Sequence, residues 1–223
     1  MERTEKARLE LCIDGTKPLP ELTKMVNAAC DDLATDQDGD CVIFTIDPAP
    51  AVQPTWPGEE DIHMVRRWEH AVRRLERLNT LSAVLVRGIC FGPGLDILLA
   101  ADLRMAMPGA RLLFSAEGGL VWPGMSLHRL ARQCGTARAR QVMTWLPEVP
   151  AEVATAWGLV DAVVADAVDA TNLIAARTAG LSSHEFAIRR QLVQEASTAE
   201  FDDALGVHLA ACDRELRRLR DHR

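Results

Sequence analysis

The stretch from Leu81 to Met107, LSAVLVRGICFGPGLDILLAADLRMAM, constrains the fold more than any other part of this chain. The apolar run Ala83–Val86 reads as a buried strand, and glycines follow closely behind it. Next come the Gly92-Pro93-Gly94 turn, an apolar segment ending at Ala100-Ala101-Asp102, and a second strand-like run, Leu103–Met107. Strand, glycine-rich turn, buried helix and strand, in that order, present the positive end of a helix at the lip of a sheet. Such an end favours negative charge, either a bound anion or an oxyanion that develops during reaction. The same residues also fit a plain connection in which the glycines serve packing alone.

Around this unit the apolar spacing predicts an opening strand over Leu9–Ile13, a helix over Pro20–Ala34 and a buried strand over Cys41–Ile46. Asp47–Gly58, DPAPAVQPTWPG, carries four prolines and is expected to be irregular. Ile62, Val65, Trp68, Ala71, Val72, Leu75 and Leu78 describe an amphipathic helix within Asp61–Leu78, its outer face bearing Arg66, Arg67, Arg73, Arg74 and Arg77. After Met107, short strands are expected at Arg111–Phe114 and Leu159–Val164, with Pro150 as the first residue of a helix over Ala151–Trp157 that Gly158 ends. Ser182-x-x-Glu185 and Ser197-x-x-Glu200 both match the capping box and predict helix starts. The whole chain, 1–223, reads as one α/β domain, its strands in the first two thirds and its helices at the end.

Charge and cysteines narrow the function classes. The net charge of −7 argues against a nucleic-acid partner and requires any anionic ligand to be held by a local basic patch. No apolar run approaches the roughly 20 residues of a membrane span, and MERTEKARLE is charged where a signal peptide is apolar. Cys12, Cys30, Cys41, Cys90, Cys134 and Cys212 show no C-x-x-C pair, which suits reduced thiols in a cytoplasmic protein. The six histidines show no i,i+4 pairing, so no metal is expected.

Several pieces together resemble the crotonase (enoyl-CoA hydratase/isomerase) superfamily. VRGICFGPGLDILLAADLRMA matches its strand, glycine-rich turn, buried helix and closing aspartate without a gap. FSAEGGLVWPG, from Phe114 to Gly124, matches the phenylalanine, acid and glycine-proline stretch that follows. HRLARQCGTARARQVM and PAEVATAWGLVDAVVAD match the later helix and the glycine-leucine-valine strand. The resemblance implies a ββα spiral, with a core over 1–165 and a helical C-terminal part over 166–223 that is shorter than usual. The short length and eroded motifs are most similar to the B-type accessory crotonases of the dihydroxyphenylglycine pathway of glycopeptide-antibiotic assembly.

The resemblance further implies a coenzyme A thioester as substrate with no other cofactor. It implies two backbone N–H donors for the thioester oxygen and one or two carboxylates that move protons. By position, the carboxylates are Asp96 and Glu117, and the turn residues Cys90, Gly92 and Gly94 lie beside the substrate, with Trp122 walling the acyl group. The residues leave alternatives open: Asp96 as a first-turn carboxylate complementing the helix dipole, Glu117 as a solvated loop acid, Cys90 as a buried thiol. Two departures stand out. Pro93, which has no N–H, occupies the place of a donor glycine, and Asp47–Gly58 lacks the motif that supplies the other donor. Arg214, Arg217, Arg218, Arg220 and Arg223 crowd the C-terminus, facing coenzyme A phosphates, an acidic partner or solvent. Three functions follow: acyl-CoA hydration, dehydration or isomerisation; a non-catalytic subunit; or hydrolysis or decarboxylation of a coenzyme A ester. In each case the expected assembly is a trimer or hexamer, alone or with a sister crotonase or a type III polyketide synthase.

Overall fold

The computed structural model describes residues 8–34, 41–47, 56–114, 117–179 and 182–221, with the backbone alone for Arg8, Glu117 and Asp221. In chain order the elements are β1 (Arg8–Ile13), α1 (Leu19–Ala34), β2 (Cys41–Ile46), α2 (Ile62–Glu76), β3 (Leu81–Val86), β4 (Ile89–Phe91), α3 (Pro93–Ala100), β5 (Leu103–Ala106) and β6 (Arg111–Leu113). A 3-10 turn (Glu117–Gly119) leads to α4 (Met125–Thr144), β7 (Glu148–Pro150), α5 (Ala151–Ala156), β8 (Ala162–Val163), α6 (Ala167–Thr178), α7 (Ser183–Ala196) and α8 (Phe201–Asp221). Residues 48–55 of the proline-rich segment, and Arg223, lie outside the described residues.

Five parallel strands form one sheet in the order β1-β2-β3-β5-β8, and β4-β6-β7 form a second, smaller sheet. Both faces of the large sheet are covered, which explains its unbroken apolar runs. Val42, Phe44 and Ile46 of β2, with Val84 and Val86 of β3, turn to a core shared with α1, α2 and α3. The alternate residues Cys41, Ile43, Leu81, Ala83 and Leu85 turn to a second core closed by Ala170 and Ile174 of α6. This architecture is the crotonase-type α/β fold, with a helical C-terminal part from α6 onward.

Three local expectations are corrected. Ser182 does cap α7, accepting from the Glu185 N–H at 3.4 Å. Ser197, however, ends α7 instead of starting α8, because its hydroxyl accepts from Arg132 of α4. Pro150 is not inside α5: it ends β7, a strand pairing antiparallel with β6, and forms the helix cap. The strand expected over Leu159–Val164 contracts to Ala162–Val163, where its ladder to β5 runs.

The end of α3 is tied into this framework by a buried ion pair. The Asp102 carboxylate accepts from the Ser82 N–H (3.0 Å) and hydroxyl (2.9 Å), joining the α3–β5 connection to β3. Arg190 of α7 reaches the same carboxylate at 2.6 Å and also donates to the Leu78 and Thr80 carbonyls. Both side chains of the pair are only 8% exposed. Removing one member of such a pair strands the other charge, so Arg190→Met is expected to lower the unfolding free energy by about 3–5 kcal/mol. Urea denaturation measures this, and an unchanged midpoint contradicts the clamp.

Candidate active site

The turn that opens α3 is built from what each of its three residues lacks or permits. Gly92 takes φ +47° at the helix cap, a conformation costly for residues with a Cβ. Pro93 fixes the first helical φ and contributes no N–H. Gly94 lets α3 lie close on its neighbours: a Cβ there would stand 3.4 Å from Ile46 Cγ2 and 3.5 Å from Cys90 Sγ. The Gly92 carbonyl takes the Leu95 N–H at 3.0 Å and the Asp96 N–H at 3.4 Å. The Gly94 N–H has no acceptor among the described residues. The turn therefore offers one free helix-start donor beside the end of β2, where two glycines would have offered more.

Tryptophans cover this turn. A Cβ on Gly92 would fall 2.9 Å from Trp56 Cδ2, so the indole lies directly against the glycine backbone. Trp122 meets Trp56 edge to face, ring centroids 6.0 Å apart at 71°. Trp122 is itself seated on Gly124, where a Cβ would come within 2.7 Å of its Cδ1. The structure thus brings Trp122, expected beside the acyl group, to the turn through Trp56.

Asp96 is drawn elsewhere. Its carboxyl is buried, accepting from Trp68 Nε1 at 2.8 Å and lying 3.5 Å from Arg129 Nη1. Arg129 in turn donates to Glu76 at 2.7 Å and Glu69 at 3.0 Å, so one guanidinium from α4 serves carboxylates of α2 and α3. Glu69 also accepts from the Met125 N–H at the start of α4, and Arg73 reaches Glu76 from the solvent side at 2.6 Å. Burial and the Glu69 charge push the Asp96 pKa up to about 7, against the opposing pull of Arg129 and the Trp68 hydrogen bond. Its polar contacts among the described residues are with α2 and α4 side chains.

The remaining expected residues fall as follows. Cys90 is fully buried in β4 beneath Gly94, and desolvation with the nearby Asp96 raises its thiol pKa far above neutrality. It shapes the floor of the turn, where burial disfavours the thiolate form. Glu117 opens the 3-10 turn after β6, and its side chain lies outside the described residues. Of the C-terminal arginines, Arg217 and Arg218 pair with Asp213 and Glu215 on their own helix. Among the described residues no group of His, Cys, Asp and Glu is placed to hold a metal ion. Among the described residues no helix is long and apolar enough to cross a membrane.

Burial keeps a proton on Asp96 in the folded chain up to about pH 7, whereas an ordinary aspartate releases it near 3.8. Between those values the folded state holds more protons than the unfolded one, so this group lowers stability as pH rises. Asp96→Asn is expected to flatten that decline: relative to wild type, the variant gains stability from pH 4 to pH 8 in urea unfolding. Parallel curves for the two proteins contradict the assignment.

The comparisons with known proteins agree with this geometry. The sequence pattern of the enoyl-CoA hydratase/isomerase family matches residues 59–217. An enoyl-CoA-hydratase of Amycolatopsis orientalis is 40% identical over 211 residues, covering 94% of this chain and 96% of that protein. A probable enoyl-CoA hydratase of Mycobacterium tuberculosis is 38% identical over 120 residues, 51% of this chain and 41% of its own. Among solved structures, an enoyl-CoA hydratase of Mycobacterium smegmatis superposes with TM-score 0.79 at 17% identity, covering 96% of this chain and 89% of its own. A family protein of Silicibacter pomeroyi does so with TM-score 0.77 at 17% identity, covering 97% and 98%. These two establish the fold alone; the extended sequence matches establish kinship, and the chain belongs to the enoyl-CoA hydratase/isomerase family.

Proposed function

We propose that this chain processes an acyl-CoA thioester by dehydration, hydration or isomerisation at the Gly92–Gly94 turn, with an altered division of labour among its residues. The observation that carries the reading is the unpartnered Gly94 N–H at the start of a wholly buried helix, beside the end of β2. A thioester oxygen placed there receives one hydrogen bond and the field of the helix start, which stabilise the enolate-like charge that develops in the reaction. Glu117, in the loop after β6, is the proton-moving carboxylate. Asp96 holds α3 to α2 and α4, and moves no proton. Trp56 and Trp122 enclose the turn with flat apolar surface, which favours a planar, unsaturated acyl group over a flexible alkyl chain.

The departures at Pro93 and over Asp47–Gly58 support a narrower role. In it the protein assists the dehydrative aromatisation of a malonyl-CoA-derived polyketide to 3,5-dihydroxyphenylacetyl-CoA, in an oligomer with a sister crotonase or a type III polyketide synthase. A second reading, a non-catalytic subunit, is favoured by Pro93 and by the Trp56 ring packed on Gly92, which together leave the turn short of donors and of room.

Loss of one oxyanion donor costs about 10²–10³ in rate, so restoring one is a sensitive test. Pro93→Gly is expected to raise hydration of a simple enoyl-CoA by at least about tenfold, and Glu117→Gln to abolish that gain. No activity in wild type or variant, together with co-elution of the wild type with the synthase, favours the subunit reading. Unchanged turnover in Glu117→Gln removes Glu117 from the proton-transfer role.

A further inference from the structure

At the far end of α3 from the turn lies an open cleft of about 1510 Å³, bounded by α2 and α4 on one side and by α7 with Arg214 of α8 on the other. Nine arginines and three histidines line it, against four carboxylates. Arg129, Arg73 and Arg190 are paired within it, and Arg189 pairs with Glu185 and Glu215. Arg66, Arg77, Arg104, Arg132 and Arg214 form no ion pair among the described residues. Arg66 and Arg77 are exposed, and Arg214 lies 3.3 Å from the His184 ring nitrogen. Arg104 donates to the Ala101 carbonyl and to Gln133, with Asp161 and Asp102 acting on its charge, and Arg132 donates to the Gln194 carbonyl and Ser197. The uncompensated guanidinium charge is therefore that of Arg66, Arg77 and Arg214, in a chain of net charge −7. Like charges gathered from α2 and α8 repel one another, and a multiply charged anion relieves that repulsion while accepting their forked hydrogen bonds. Leu99, Ala100 and Phe186 supply apolar wall for an organic portion. The volume exceeds the roughly 300–1,000 Å³ of ordinary ligand pockets.

We propose that this cleft is a second ligand site, one that binds a diphosphate-bearing anion separately from the thioester at the turn. The separation is structural: α3 spans about 12 Å between the two places, and Leu95, Ile97, Leu98 and Trp68 fill the space around it with buried side chains. A thioester seated at Gly94 therefore has no path through the core to this cleft. The test is isothermal titration calorimetry of the full chain, in EDTA at low salt, with ADP and with inorganic pyrophosphate. Saturable binding of both is expected, weakened by at least tenfold in the exposed-residue double variant Arg66→Ala/Arg77→Ala. Equal affinity for the two probes identifies the free anion as the ligand, and tighter ADP binding identifies a nucleotide. The non-reactive thioether S-ethyl-coenzyme A is expected to leave ADP binding unchanged. The proposal is overturned if neither probe binds at millimolar concentration, or if binding is indifferent to the arginine substitutions. It also falls if the thioether displaces ADP competitively, which makes the cleft the thioester's own nucleotide end. It falls too if the substitutions change only the mass seen by light scattering, which makes the cleft a subunit contact.

Discussion

The site depends on one buried arginine. Arg129 leaves α4 to serve Glu69 and Glu76 of α2 and to approach Asp96 of α3, while Trp68 ties Asp96 back to α2. Each ion taken from water in this way carries a desolvation penalty of several kcal/mol, offset only when its hydrogen bonds are nearly complete. Here the carboxylates outnumber the buried guanidinium, and the excess is relieved by Arg73 at the surface and by the proton that burial keeps on Asp96. Such a network fixes where α3 begins, and hence where the Gly94 N–H points. Deleting Arg129 leaves Glu69 and Glu76 without their buried partner, so the network favours one arrangement of the three helices over near alternatives.

Placing Asp96 in that network changes how the turn can work. A carboxylate held by Trp68 and Arg129 has its lone pairs engaged and its proton affinity set by the core. The chemistry of the turn then rests on one helix-start N–H and on a carboxylate from elsewhere, for which Glu117 is the candidate. Pro93 and the Trp56–Trp122 pair point the same way: fewer polar groups face the reacting atoms, and more flat apolar surface does. Such a site suits a conjugated acyl group whose own delocalisation shares the developing charge.

Much of the fold was legible in the sequence because local pattern and tertiary structure agreed. The run from Leu81 to Met107 folds as strand, turn, buried helix and strand, and the apolar stripe from Ile62 to Leu75 is α2 with Asp61 as its cap. The three-residue strands β4 and β7 were not legible, since segments so short carry no periodicity and exist by pairing with β6. Ser197 misled for a different reason: its hydroxyl fits a capping box in sequence, but Arg132, distant in the chain, claims it. The candidate site divides likewise. Gly92, Gly94 and Trp122 were identifiable from motif position. Arg129 was missed, although Glu69 and Glu76 beside Trp68 on an otherwise apolar face were a signal that a buried cation would be needed. Asp96 was found as a residue, but its partners Trp68 and Arg129 lie 28 and 33 positions away on other helices and no local pattern reports them.

In the proposed reaction the Gly94 N–H polarises the bound thioester while Asp96 stands outside the chemistry. Infrared difference spectroscopy of a carbonyl-labelled acyl-CoA bound to the protein reads that polarisation directly. The expected carbonyl band moves to lower frequency on binding, moves further in Pro93→Gly and is left in place by Asp96→Asn. A carbonyl band identical to that of the free thioester, or one that returns to the free position in Asp96→Asn, contradicts the proposed reaction.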